Sequence, residues 1–327
     1  MNKMRRFFTL VCMAALVVSV FTGCGSSKPG EDTTQEAAAG TASVNWKEKL
    51  NAMLTSEKDL GIEGKYTSVS EITDGKADPD LLGTWKTADE NFTYEIREDG
   101  TIVSSSELYE LKNELPFTCI TVGDRKVLCV DATVSDYGEE DEANRPTHYV
   151  SYDTYEVDNG VLYMVSVDND QDELTFNALS LVVFYKADES GDISKALEDN
   201  PVNPEFLYGD YTYEEGTISI DEKGMTVVGG PEDLGTDPLP IRLDERGNLL
   251  VEANGTTTEY NLGFALVREY EDETKAKLSK KEYQISLSYE AEDKDDHPNL
   301  EGIMANWHDE YGYEEYHYDV SFSTPAE

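Results

Sequence analysis

Basic side chains are scarce in this chain. Its 327 residues include 26 Lys and Arg against 68 Asp and Glu, a net charge of −42 at pH 7. That balance excludes a nucleic-acid partner and argues against direct adhesion to anionic lipid headgroups. It is compatible with cationic partners or divalent ions, and its plainest effect is solubility and mutual repulsion of neighbouring copies. Histidine and cysteine are also scarce, at four each. No G-x-S-x-G, Walker-type phosphate loop, H-E-x-x-H or C-x-x-C occurs, so the common signatures of hydrolytic, nucleotide and redox chemistry are missing. No apolar run reaches the ~20 residues a membrane-spanning helix needs.

What is present begins with a targeting segment. Lys3, Arg5 and Arg6 precede a mostly apolar run from Phe7 to Phe21, the length of a signal-peptide core. Gly23 and Cys24 follow, then a polar stretch. Residues 1–24 resemble a bacterial lipoprotein signal, with Phe21 standing where an aliphatic residue is usual. The resemblance implies cleavage before Cys24, a diacylglycerol on its thiol, and anchorage to the outer face of the cell membrane. Two or more acyl chains hold a protein stably, where one does not. Residues 24–45 have no large apolar side chain before Val44 and read as a disordered tether. Trp46, Leu50, Met53 and Leu54 recur at helical spacing, so residues 46–79 are expected to be a short helix and connector.

The rest is punctuated like antiparallel β structure. Turn signals recur at Arg97–Gly100, Val122–Arg125, Asp158–Gly160, Asp221–Gly224, Asp244–Gly247 and Ala253–Gly255. Asn159-Gly160 and Asn254-Gly255 suit two-residue hairpin turns, because both residue types tolerate positive φ. Between turns the chain alternates: Phe92, Tyr94 and Ile96 share one face, and Tyr316, Tyr318, Val320 and Phe322 share another. Such alternation predicts sheets with one wet face, in a sandwich or barrel. There is an internal echo. Leu82-Gly83-Thr84-Trp85 and Leu207-Tyr208-Gly209-Asp210-Tyr211 open similar stretches, and Pro201 and Pro204 lie just ahead of the second. The expected organisation is two small β domains, 80–190 and 204–323.

Cys12 leaves with the signal and Cys24 carries lipid, which leaves Cys119 and Cys129 in an oxidising setting. A three-residue loop at 123–125 would set Cys119 opposite Cys129 and permit a bridge within the hairpin. A two-residue loop would offset them by one and put them on opposite faces. The disulfide is the expectation.

The stretch from Leu82 to Val103, with its Gly83-x-Trp85, resembles the opening of the lipocalin-like β-barrel domains found in bacterial lipoproteins. The resemblance implies antiparallel meander barrels of about eight strands, with Gly83 and Trp85 structural at the closed end. Some members bind small apolar molecules.

Few residues suggest chemistry. Asp168, Asp170, Asp172 and Glu173 alternate as oxygen ligands for calcium would, but lack the Gly and Glu spacing of an EF-hand loop, and a solvated acidic turn accounts for them. His297, His308 and His317 follow no ligand spacing rule. Tyr311 and Tyr313 precede a strand and are candidates for an exposed contact with a glycan or protein. Paired carboxylates carry no information among 68 acidic residues. The reading is therefore an all-β, lipid-anchored, extracytoplasmic binding or interaction module without catalytic residues or cofactor. The alternatives are a carboxylate-based hydrolase of a cell-wall or dietary polymer, and a purely structural surface protein. Ligand and oligomeric state are not legible.

Overall fold

The computed structural model describes residues 44–106, 111–133, 148–169, 176–213, 216–229, 234, 237–271, 277–291, 296–308 and 316–326. The described chain is mostly β and divides into two compact units. The first holds Lys49–Asp172 and Leu181–Asn200; the second holds Ser43–Glu48, Glu173–Ser180 and Pro201–Glu327.

The first unit is a closed antiparallel barrel of eight strands: β1 (Gly83–Lys86), β2 (Phe92–Ile96), β3 (Thr101–Ser106), β4 (Leu111–Val122), β5 (Arg125–Thr133), β6 (His148–Asp158), β7 (Val161–Ser166) and, from Leu181 on, β8 (Phe176–Lys186). Each pairs with the next. Trp85 and Lys86 then pair with Lys186 and Tyr185, so that β1 meets β8 and the ring has no edge. At Asn159-Gly160 both residues have positive φ, 47° and 79°, the requirement of the turn read from the sequence.

The barrel carries two apolar clusters. The inner one gathers Trp85, Phe92, Ile96, Ile102, Phe117, Cys119, Leu128, Tyr155, Leu162, Met164 and Phe184, with Tyr94 packed against it. An outer one gathers Ile120, Val127, Cys129, Val150 and Tyr152 of β4–β6 beneath Leu60, Ile62, Val69 and Ile72. Residues 49–79 are thus a cover and not a loose connector. Within them Leu50 and Met53 of α1 (Trp46–Met53) are buried, and α2 (Glu57–Leu60) is capped by Ser56 and closed by Gly61. The Thr154 hydroxyl donates to the Met53 carbonyl at 2.9 Å, and Lys49 lies over the Tyr163 ring at 4.8 Å. The cover removes the wet face from part of the sheet, and Val161–Val165 of β7 are all buried.

The hairpin of β4 and β5 corrects the disulfide expectation. Its loop has two residues, with Val122 opposite Arg125, so Thr118 faces Cys129 and Cys119 faces Leu128. Gly123 has φ 65° at the first central position, the place glycine takes in a type II′ turn. The one-residue offset sends Cys119 into the inner cluster and Cys129 into the outer one, and both are free thiols.

The second unit is also antiparallel β. Its strands are β9 (Gly209–Tyr213), β10 (Gly216–Asp221), β11 (Gly224–Val228), β12 (Ile241–Leu243), β13 (Leu249–Ala253), β14 (Thr256–Tyr270), β15 (Leu278–Ala291), β16 (Ala305–His308) and β17 (Tyr316–Pro325). Pairing runs β9–β10–β11 and β12–β13–β14–β15–β17. Single bridges, Met225 to Leu239 and Ser323 to Thr212, join these two runs. Strand β16 pairs with β17, and Phe176–Ser180 pair along β14. Tyr211, Tyr260, Tyr318, Phe206 and Phe322 are its largest fully buried side chains.

Candidate functional site

The first barrel opens on a turn followed by an inward aromatic. Pro79–Leu81 form a 3₁₀ turn capped by the Asp78 side chain. Gly83 follows with φ 125°, and Trp85 turns inward, fully buried, donating its indole N–H to the Leu81 carbonyl at 2.7 Å. The second unit opens the same way. Pro204–Leu207 form a 3₁₀ turn capped by Asn203, Gly209 follows, and the Tyr211 hydroxyl donates to the Leu207 carbonyl at 2.7 Å. The aromatic reaches back four residues in both copies, so Tyr replaces Trp without loss of the hydrogen bond.

A polar network lies beside the first of these turns. Lys126 Nζ donates to Asp78 Oδ2 at 2.7 Å, and the Tyr155 hydroxyl donates to the same oxygen at 2.8 Å. Burial works against the Asp78 charge, but these donors hold its carboxyl below the ordinary range. Asp78, Lys126 and Tyr155 are thus tied to one another.

The inner wall beside Trp85 differs, and Tyr94 of β2 pairs directly opposite Trp85. The inward face of β6 carries Asp153, two residues before Tyr155; the inward face of β7 carries Ser166, two residues after Met164. These two pair directly, and the Ser166 hydroxyl donates to Asp153 Oδ1 at 2.8 Å. Tyr94 on β2 stacks on Phe184, centroids 4.6 Å apart, and feels the Asp153 charge. Ser104 pairs opposite Tyr94. Tyr94 and Asp153 are surrounded by protein, yet both keep accessible surface. The Tyr94 hydroxyl and Asp153 Oδ2 have no hydrogen-bond partner among the described residues, and neither atom is sealed. Two inward polar atoms thus keep accessible surface without a side-chain partner, where a tightly filled core would have paired or excluded them. Loss of hydration lifts the Asp153 carboxyl to about 6, against the lowering effect of Ser166. No cation is within ion-pair reach of it among the described residues.

The residues singled out from sequence fare differently. Asp168 is not on a solvated turn: it is buried, its backbone bonded to Thr55 and Glu57 beside α2. Cys24, Asp170, Asp172, Glu173, Tyr311 and Tyr313 lie outside the described residues. Among the described residues no group of three potential ligands could hold a metal ion. His297 accompanies the Tyr318 hydroxyl at 2.8 Å and Glu301 at 3.1 Å, while His317 sits on the strand position next to Tyr318. Both thiols are poor nucleophiles: burial raises the Cys119 thiol, and pushes Cys129 up to about 12. Asp153 escaped the sequence reading because acidic residues are everywhere. The usable signal was its register, since a carboxylate two places from a buried Tyr155 must face the same interior.

Compared with known proteins, the chain matches no family model, no curated protein and no solved structure.

Proposed function

We propose that this chain is a lipid-anchored, extracytoplasmic binding module without catalysis, and that its ligand is held on the inner wall of the first barrel. The observation that carries the reading is the pair of unpartnered polar atoms, Tyr94 hydroxyl and Asp153 Oδ2, inside a closed eight-stranded ring. A ring of that size has room for either packed side chains or one small ligand. The lipoprotein-like start supports the anchor, through Cys24, and the negative charge supports exposure to solvent over binding of nucleic acid. A hydrolase reading gains nothing from Asp89, a half-buried carboxylate of this unit that is committed to its own turn through Thr87 and Asn91. The second unit buries large aromatics throughout and supports a scaffolding role.

The test is a thermal-shift screen of the purified chain against fatty acids, glycans, peptides, calcium and small amines. A ligand present at 100 times its Kd stabilises the folded state by about 2.7 kcal/mol, a shift of several degrees. A flat response throughout would remove the binding reading and leave the structural one.

A further inference from the structure

The inner wall of the first barrel has a chemical sign. We infer that it takes a small molecule with a protonated amine, the cation seated on Asp153 beside the Tyr94 hydroxyl and the apolar body lying against the barrel interior. The inference rests on the reading of this barrel as a ligand site.

The alternatives fail on the same residues. An anionic ligand, such as a fatty acid, would bring a second negative charge beside Asp153 where the low dielectric magnifies repulsion. A metal ion finds a single carboxylate and hydroxyls, short of the six to eight oxygens calcium takes. A neutral apolar ligand would leave Asp153 Oδ2 and the Tyr94 hydroxyl unpaired and dry, a cost with no return. An ammonium group satisfies both. It donates N–H to the carboxylate oxygen that Ser166 leaves free and to the phenol oxygen, and it supplies the counter-charge that no described side chain provides. The Tyr94–Phe184 stack adds aromatic surface, which attracts both a cation and the hydrocarbon next to it.

The measurement uses the full chain and three probes of one size: 2-phenylethylammonium, 2-phenylethanol and 3-phenylpropanoate, each titrated by calorimetry near neutral pH. The ammonium is expected to bind at least about tenfold more tightly than the alcohol, the worth of one charge-assisted hydrogen bond, with the carboxylate weakest. Asp153→Asn, uncharged and of the same shape, is expected to erase the preference for the ammonium over the alcohol. Tyr94→Phe keeps the carboxylate and is expected to weaken the ammonium by several-fold. Equal binding of ammonium and alcohol by the wild type, or undiminished ammonium binding by Asp153→Asn, overturns the amine assignment and leaves the binding reading standing. Absence of binding by all three overturns the amine assignment, and the wider screen then decides the binding reading.

Discussion

Asp153 carries an ionisation that the fold opposes. Burial raises its carboxyl from 3.8 to about 6, with the Ser166 hydrogen bond acting the other way. The folded state therefore holds this proton more tightly than the unfolded chain. Its contribution to stability is fully present below the unfolded value, near pH 4, and is lost as pH rises through about 6. Asp153→Asn removes this dependence. In urea titrations at about pH 7.5 the variant is expected to be more stable than wild type by about 1–2 kcal/mol, a figure discounted for the carboxylate's residual accessibility. Below about pH 4 the difference should vanish. A variant less stable at neutral pH would mean that the charge has a partner. In the second unit, Tyr211→Phe isolates one hydrogen bond, because it deletes only the hydroxyl that reaches the Leu207 carbonyl. Its expected cost is about 1–2 kcal/mol by denaturant unfolding. Trp85→Phe should cost more, since it loses buried volume as well as the bond to Leu81.

Among the elements, the β4–β5 hairpin shows how one residue of loop length decides the chemistry of two others. With Gly123 in the first central position the loop closes in two residues, and Cys119 and Cys129 part to opposite faces. Native protein is expected to resist alkylation at both positions, since each thiol is buried and shifted toward the protonated form. Denatured protein without reductant should take two labels within residues 44–327. Mass spectrometry showing neither site labelled in denaturant would establish a bridge and refute the register. The 3₁₀ turns at Pro79–Leu81 and Pro204–Leu207 make the opposite point: capping side chain, proline, glycine and inward aromatic recur in order, so the echo in sequence is one device used twice.

At the scale of the molecule, charge and anchoring belong together. A chain at −42 has no electrostatic attraction to an anionic surface, so the membrane attachment proposed here would rest on lipid alone. Cys24→Ser is expected to move the protein from the membrane fraction to the soluble extracytoplasmic fraction, read by fractionation and immunoblot. Retention in the membrane fraction would contradict the proposed lipid anchor.

The sequence by itself determined the β class, the hairpin turns at Asn159-Gly160 and Asn254-Gly255, the inward set Phe92, Tyr94 and Ile96, and the paired openings at Gly83 and Gly209. These depend on local backbone preference and on period-two alternation, both written residue by residue. Tertiary structure alone decided three things. It closed the first ring, by pairing Trp85 and Lys86 with Lys186 and Tyr185 far along the chain. It laid residues 57–72 over β4–β6, which buried Cys129 and Tyr152 on a face that alternation would have left wet. It made one aspartate among many an interior group, because whether Asp153 faces water or Tyr94 depends on which strands complete the wall around it. Alternation names the two faces of a strand; only closure and covering decide which of them is inside.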